Sequence, residues 1–173
     1  MKFILDFDHT LMDTDRFVAD AKKAGFTFEE IVTPEIWQSF LVRDYLYPDV
    51  LPWLESKKRD DLILLTATTP SLGPRAREFQ KEKISSVNFQ NIFSSIIVMQ
   101  GSKDVDVAKI YDRTPACFVD DSLSHHIAVQ NSTPEVISIL IDRPNSSHVE
   151  KATHSNIYAA KNLADVDAII ESL

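Results

Sequence analysis

Five short, nearly unbroken apolar runs punctuate the chain: KFILDF at 2–7, LILLTAT at 62–68, SSIIVM at 94–99, ACFVDD at 116–121 and EVISILI at 135–141. Each has the length of a strand. Runs that are apolar at successive positions suit strands covered on both faces, as in parallel sheets. Between them, PDVLPWLESKKR, GPRAREFQKEK, SKDVDVAKIYD and SLSHHIAVQN mix apolar and charged residues and carry helix punctuation. Near the end, NLADVDAIIESL places Leu163, Val166, Ile169 and Ile170 at the spacing of a closing amphipathic helix. Strands alternating with helices predict an α/β fold, a Rossmann-like parallel sheet flanked by helices.

The interval between the first two strands, from about Leu11 to Asp61, is longer than one crossover needs. TDRFVADAKKAG offers Thr14 or Asp15 as a cap, apolar Phe17, Val18 and Ala21, and Gly25 as a stop; TPEIWQSFLVRD offers Thr33 as a cap and Pro34 in the first turn. Two short helices are therefore expected. They form a small helical insertion at 15–45, placed as a lid on a core made of 1–14 and 46–173. The ordinary crossover helix resumes near YPDVLPWLES, where Pro52 is tolerable because it falls in the first turn.

At 173 residues the chain suits one domain with a sizeable core, and its 44% hydrophobic and 25% charged content is that of a globular protein. A formal charge of −8 disfavours nucleic acid and anionic membrane as partners, although phosphate remains reachable through a metal ion or a focused cationic spot. Cys117 is the single cysteine, which excludes an intrachain disulfide and a cysteine-rich metal site; in its apolar run it reads as core filler. Acids at positions 6 and 8 spoil any apolar signal region, and VISILI falls far below spanning length, so a soluble cytoplasmic protein is expected. The oligomeric state is not legible.

The polar residues that break the apolar runs carry the candidate chemistry. In open α/β sheets ligands bind outside the carboxyl ends of the strands. The first run ends in Asp6 and Asp8, the second holds Thr66, the fourth ends in Asp120 and Asp121, and Lys103 follows the third. Two like charges about 4 Å apart repel by roughly 4 kcal/mol at an effective dielectric near 20. Four carboxylates around one lysine therefore call for a divalent cation held by hard oxygen ligands, and Mg2+, which favours one or two carboxylates plus phosphate and water, fits best.

These residues resemble the haloacid dehalogenase (HAD) superfamily of phosphohydrolases. DFDHTL stands as its first motif, LLTAT as its second, Lys103 as its third and FVDDS as its fourth, and the resemblance spans most of the chain. It implies that Asp6 attacks phosphorus to become an aspartyl phosphate. Asp8 then protonates the leaving oxygen and afterwards takes a proton from the attacking water. Thr66 and the backbone amides near Phe7 and Ala67 hold the phosphoryl oxygens, and Lys103 balances charge on Asp6 and the phosphate. Asp6, the carbonyl oxygen of Asp8, and Asp120 hold Mg2+, with Asp121 beside them as a metal-water or lysine contact. The implied activity is hydrolysis of a small-molecule phosphate monoester. Many relatives carry glycines around the second and fourth motifs, where this chain has few.

Rival readings attach to several of these residues. DD at a strand end also suits a helix cap, with Ser122 sharing the task. Thr66 can be an ordinary strand-end hydroxyl. Lys109 competes with Lys103 but lies inside a predicted helix rather than at its start. His125 and His126 read as solvated or partly packed helix residues, lacking the further ligands of a zinc site. His9 lies inside the first motif, open to substrate or solvent. Asp104 and Asp106 mimic a calcium loop without its glycine. Trp37, Phe40, Tyr45 and Tyr47 read as lid packing, and Arg43, Arg75 and Arg77 as solvated charge or steering groups. At the level of function, a phosphomutase would keep Asp8. A phospho-acceptor signalling module would place its acceptor after the third strand, where this chain has VMQGS. A glycosidase would share only the paired carboxylates.

Overall fold

The computed structural model describes residues 1–68, 70–144, 146–147, 151 and 154–173. Six parallel strands form one sheet: β1 (Lys2–Leu5), β2 (Leu62–Thr68), β3 (Ser95–Gln100), β4 (Ala116–Asp120), β5 (Ile137–Ile141) and β6 (Ile157–Ala160), in the order β3-β2-β1-β4-β5-β6. The first five match the apolar runs. The sixth, IYAA, is a correction to the five-strand expectation: it is too short and too rich in alanine to stand out as an apolar run.

Side chains on successive strand residues point to opposite faces. Phe3 and Leu5 of β1 join a core on one side, together with Leu64 of β2 and Val119 of β4. Ile4 joins Leu65, Phe118 and Ala116 on the other. The helices follow the same division. Trp53 and Leu54 of α3 (Val50–Glu55), Phe79 and Ile84 of α4 (Ala76–Ser86) and Leu163 and Val166 of α7 (Leu163–Glu171) belong to the first core. Val107 of α5 (Asp104–Ile110) and Val129 of α6 (Leu123–Ser132) belong to the second.

The long first crossover contains α1 (Thr14–Lys23) and a four-residue α2 (Phe28–Ile31), then two 3-10 turns at Pro34–Gln38 and Val42–Tyr45. The second expected helix is thus corrected to tighter turns. Thr33 stands at the cap position, but its hydroxyl donates to the Glu30 carbonyl (2.8 Å) rather than accepting from the following amides. At α1 the capping side chain is Asp13, which accepts from the Arg16 amide at 2.9 Å, in place of Thr14 or Asp15. Gly25 ends α1 with φ +97°, a left-handed conformation that favours glycine. Phe17, Ala21, Ile31, Trp37, Val42 and Tyr45 belong to the same core as Phe3 and Leu5, so no gap in packing separates this segment from the sheet.

The strand order reverses direction at β1, which pairs with β2 on one side and β4 on the other. Such a switch point opens a crevice at the carboxyl ends of the strands. Leu5 sits level with Leu64 and Val119, so the residues just beyond reach the crevice together. Among the described residues, no helix is long and apolar enough to cross a membrane.

Candidate active site at the strand switch point

Asp6 leaves β1 with its amide still donating to the Val119 carbonyl (2.9 Å), which ties it to β4. Its carboxylate pairs with the Lys103 ammonium, which also donates to Asp120 Oδ2 at 2.7 Å. Lys103 caps α5 and is 1% exposed, so a side chain that begins a helix reaches back under the strand ends. Lys109 points elsewhere, to Asp106 on the surface. A backbone amide, that of Ser122, donates to Asp120 Oδ1 (2.8 Å). Oxygen atoms of Asp6, Asp120 and Asp121 all lie within 4.8 Å of one another.

Asp6, Asp8, Thr66, Ala67, Lys103, Asp120 and Asp121 line one cleft of about 230 Å³. Only the Phe7 side chain turns away, into the core against Phe89 (5.7 Å between rings). The carboxylate of Asp8 faces a different set of partners from that of Asp6. Lys83 Nζ lies 2.7 Å from both of its oxygens, the Thr14 hydroxyl donates to Oδ1 (2.7 Å), and Gln80 Nε2 donates to Oδ2 (2.8 Å) and to the Thr66 hydroxyl (2.9 Å). The two acids of the first motif therefore coexist by division: each has its own buried lysine.

The electrostatics follow from these contacts. Burial pushes the Asp6 carboxyl up to about 6, with Lys103 pulling it down and Asp120 pushing it up. For Asp8, burial also raises the carboxyl, but the charge and hydrogen bonds of Lys83, then Thr14 and Gln80, outweigh it and bring it to about 2. Asp121 goes to about 8, first through burial and then through the negative charges of Asp6 and Asp120. Asp120 is held below the usual carboxylate range, the opposition of burial being overcome by Lys103 and then His125. One lysine thus stands among three carboxylates, and the third ionises only reluctantly.

Several contacts escaped the sequence reading. Lys83, Gln80 and Thr14 surround Asp8, and both histidines touch Asp120: His125 Nδ1 is 3.3 Å from Oδ2, and buried His126 Nε2 is 3.0 Å from the carbonyl oxygen. His125 is partly packed, as expected, whereas the expectation of a solvated or partly packed residue is corrected for His126, which is fully buried. HH at the first turn of the helix after DD was the available signal, since such a turn folds back over the strand end. Arg75, read as solvated charge or a steering group, is a half-exposed side chain paired with Glu35 (2.8 Å) and Glu78 (3.2 Å).

No protein-family model matches the chain, and no curated protein matches it by sequence. Solved structures do match it by shape. A haloacid dehalogenase-like hydrolase from Burkholderia xenovorans LB400 superposes with a TM-score of 0.64 at 14% identity, over 95% of each chain. A HAD-like family hydrolase from Xanthomonas campestris gives 0.63 at 13% identity, over 99% of this chain and 95% of that one. The HAD-hydrolase YfnB from Bacillus subtilis, bound to magnesium, gives 0.58 at 13% identity, over 98% and 97%. The chain has the fold of the haloacid dehalogenase-like hydrolases.

Proposed function

We propose that the protein is a magnesium-dependent phosphatase that hydrolyses a small-molecule phosphate monoester through an aspartyl phosphate on Asp6. The observation that carries this reading is Lys103, buried and bonded to both Asp6 and Asp120 with Asp121 beside them, at the strand switch point. Magnesium binding to YfnB, a protein of the same fold, supports it.

The donor set suits a hard dication: three carboxylates within 4.8 Å, one of them pushed to about 8 by burial and then by the charges of the other two, gain by sharing a metal. Asp6, Asp120, Asp121 and the carbonyl oxygen of Asp8 would hold Mg2+. When bound, the ion supplies positive charge to the phosphoryl oxygens. An Asp6 oxygen forms a bond to phosphorus while the bond from phosphorus to the ester oxygen breaks, and the leaving alkoxide takes a proton from Asp8. Asp8 then accepts a proton from water, whose oxygen attacks phosphorus and releases Asp6. Thr66 and the amides near Phe7 and Ala67 orient the phosphoryl oxygens, and Lys103 offsets their charge. The doubly bonded Lys83 keeps Asp8 ready as a base, and its duty as an acid requires that contact to loosen. We assign residues 15–45 the role of a lid over this cleft.

Phosphate release from a metabolite panel, with and without magnesium, tests the reading. Asp6→Asn is expected to abolish turnover, and Asp8→Asn to reduce kcat by about 10²- to 10⁴-fold, the usual share of a general acid–base group. Unimpaired turnover in Asp6→Asn would remove the nucleophile assignment.

A further inference from the structure

A second cavity, of about 430 Å³, opens beside the catalytic cleft. The two share Asp8, Ala67 and Thr68 along their rims. Resting on the phosphatase reading, we infer that this cavity receives the alcohol portion of the substrate, and that the substrate is a phosphate monoester of an uncharged, apolar alcohol with an aromatic or branched aliphatic body.

The walls set the chemistry. Phe17 and Val18 of α1, Phe28 and Ile31 of α2, and Leu72 and Phe79 near α4 contribute its apolar surface. The polar lining lies towards the catalytic end: Lys83, Gln80 and Thr14 bond to Asp8, the Thr68 hydroxyl donates to the Met99 carbonyl (3.2 Å), and His9 Nδ1 lies 3.6 Å from Asp15. Among the described residues of the lining Lys83 is the one lysine or arginine, and it pairs with Asp8. A second phosphate or a carboxylate on the substrate would have to compete with Asp8 for Lys83, and a sugar would place several hydroxyls against hydrocarbon, which costs free energy for each one left unpaired. An apolar body fits without that loss. Phe28, 50% exposed on its short helix at the edge of the cavity, gains from being covered by such a body.

The position of the cavity also explains its continuity with the chemistry. Asp8 faces both spaces, so a phosphoryl group beside Asp6 directs its ester oxygen past Asp8 and the rest of the molecule onward between α1 and α4. Trp37 packs on the back of this wall, with its ring centroid 4.6 Å from Phe17 and 5.2 Å from Phe79.

Two measurements test the inference and keep it separate from the phosphatase reading. In the first, kcat/KM is compared for benzyl and phenethyl phosphate against glycerol 3-phosphate and glucose 6-phosphate, all esters of primary or similarly basic alcohols, so that leaving-group acidity does not enter. The apolar esters are expected to lead by at least about tenfold, equivalent to about 1.4 kcal/mol. Phe28→Ala, at an exposed position, is expected to shrink that ratio mainly through KM. Polar esters equal to or better than apolar ones would overturn the inference while leaving a phosphatase. In the second, Trp37 emission is followed in a Trp53→Phe background as benzyl alcohol is added, and a saturable change weakened by Phe28→Ala is expected. Saturation without turnover of any ester would overturn the phosphatase reading, and the substrate assignment with it, leaving only an apolar binding cavity, and no saturable change would overturn the inference whether or not esters are hydrolysed.

Discussion

Lys83 shows how much a single side chain decides at this site. It is 2% exposed, its ammonium stands over the rings of Phe7 (5.1 Å) and Phe79 (5.2 Å), and its partner is Asp8. An ammonium taken out of water needs its counter-charge, and the counter-charge needs the ammonium just as much. Removing one member of such a pair strands the other. Lys83→Met is therefore expected to cost about 3 kcal/mol of stability, read from the midpoint of urea unfolding. A loss below about 1 kcal/mol, the range of exposed pairs, would mean that Asp8 finds water when Lys83 is gone. The lysine was legible in principle. Ala76, Phe79, Gln80 and Lys83 form the i, i+3, i+4, i+7 stripe by which α4 faces the sheet. A glutamine and a lysine inside a buried stripe are polar groups in search of partners. What the sequence does not reveal is which partner, because Lys83 and Asp8 lie 75 residues apart and only the register of β1 and β2 brings them together. Asp6, Thr66, Asp120 and Asp121 were easier, since each interrupts or directly follows an apolar run at a strand end, as was Lys103, which opens the helix after the third run.

At the scale of elements, α2 is the most conditional piece of the fold. Four residues cannot repay the cost of nucleating a helix by themselves. Two devices hold it. Ile31 is buried in the core, and Thr27 and Glu30 form a reciprocal capping box in which the Thr27 amide donates to Glu30 Oε2 (2.8 Å) and the Glu30 amide to Thr27 Oγ1 (3.3 Å). Thr27→Ala removes one arm of that box at a cost of about 1 kcal/mol. Because the helix is peripheral, the effect should appear as local opening: amide exchange at Glu30 roughly fivefold faster, with exchange in the central strands unchanged. Unaltered exchange at Glu30 would show that Ile31 alone fixes the helix. Such short elements are where sequence patterns run out. The long strands β2 and β4 and the helices α4 and α7 announce themselves by period, whereas α2 offers one buried residue, β6 offers four residues of weak apolar character, and Pro34–Gln38 offers helical spacing without enough length to choose α over 3-10 geometry.

For the molecule as a whole, the sheet concentrates negative charge at one edge of a chain that already carries −8. Folding brings Asp6, Asp120 and Asp121 within 4.8 Å, against a single Lys103, so the metal-free native state bears a repulsion that the unfolded chain escapes by separating the three acids. A dication that binds the assembled carboxylates and has little affinity for the separated ones stabilises the fold by mass action, by about 2.7 kcal/mol when its free concentration is a hundred times Kd. For a chain of this size each kcal/mol shifts Tm by about 2–4 °C, which places the expected rise between chelator-treated protein and saturating magnesium at about 5–10 °C. Asp121→Asn offers a sharper version of the same test. The amide mimics the un-ionised form that the Asp121 carboxyl, pushed to about 8, already favours at neutral pH, so the metal-free variant should melt close to the metal-free parent, while the rise on adding magnesium should shrink to a small fraction. Sodium chloride at matched ionic strength separates specific binding from screening, because screening acts on every exposed charge and would raise Tm in the parent and in Asp121→Asn alike. An equal magnesium response in both proteins would place the ion elsewhere than between β1 and β4.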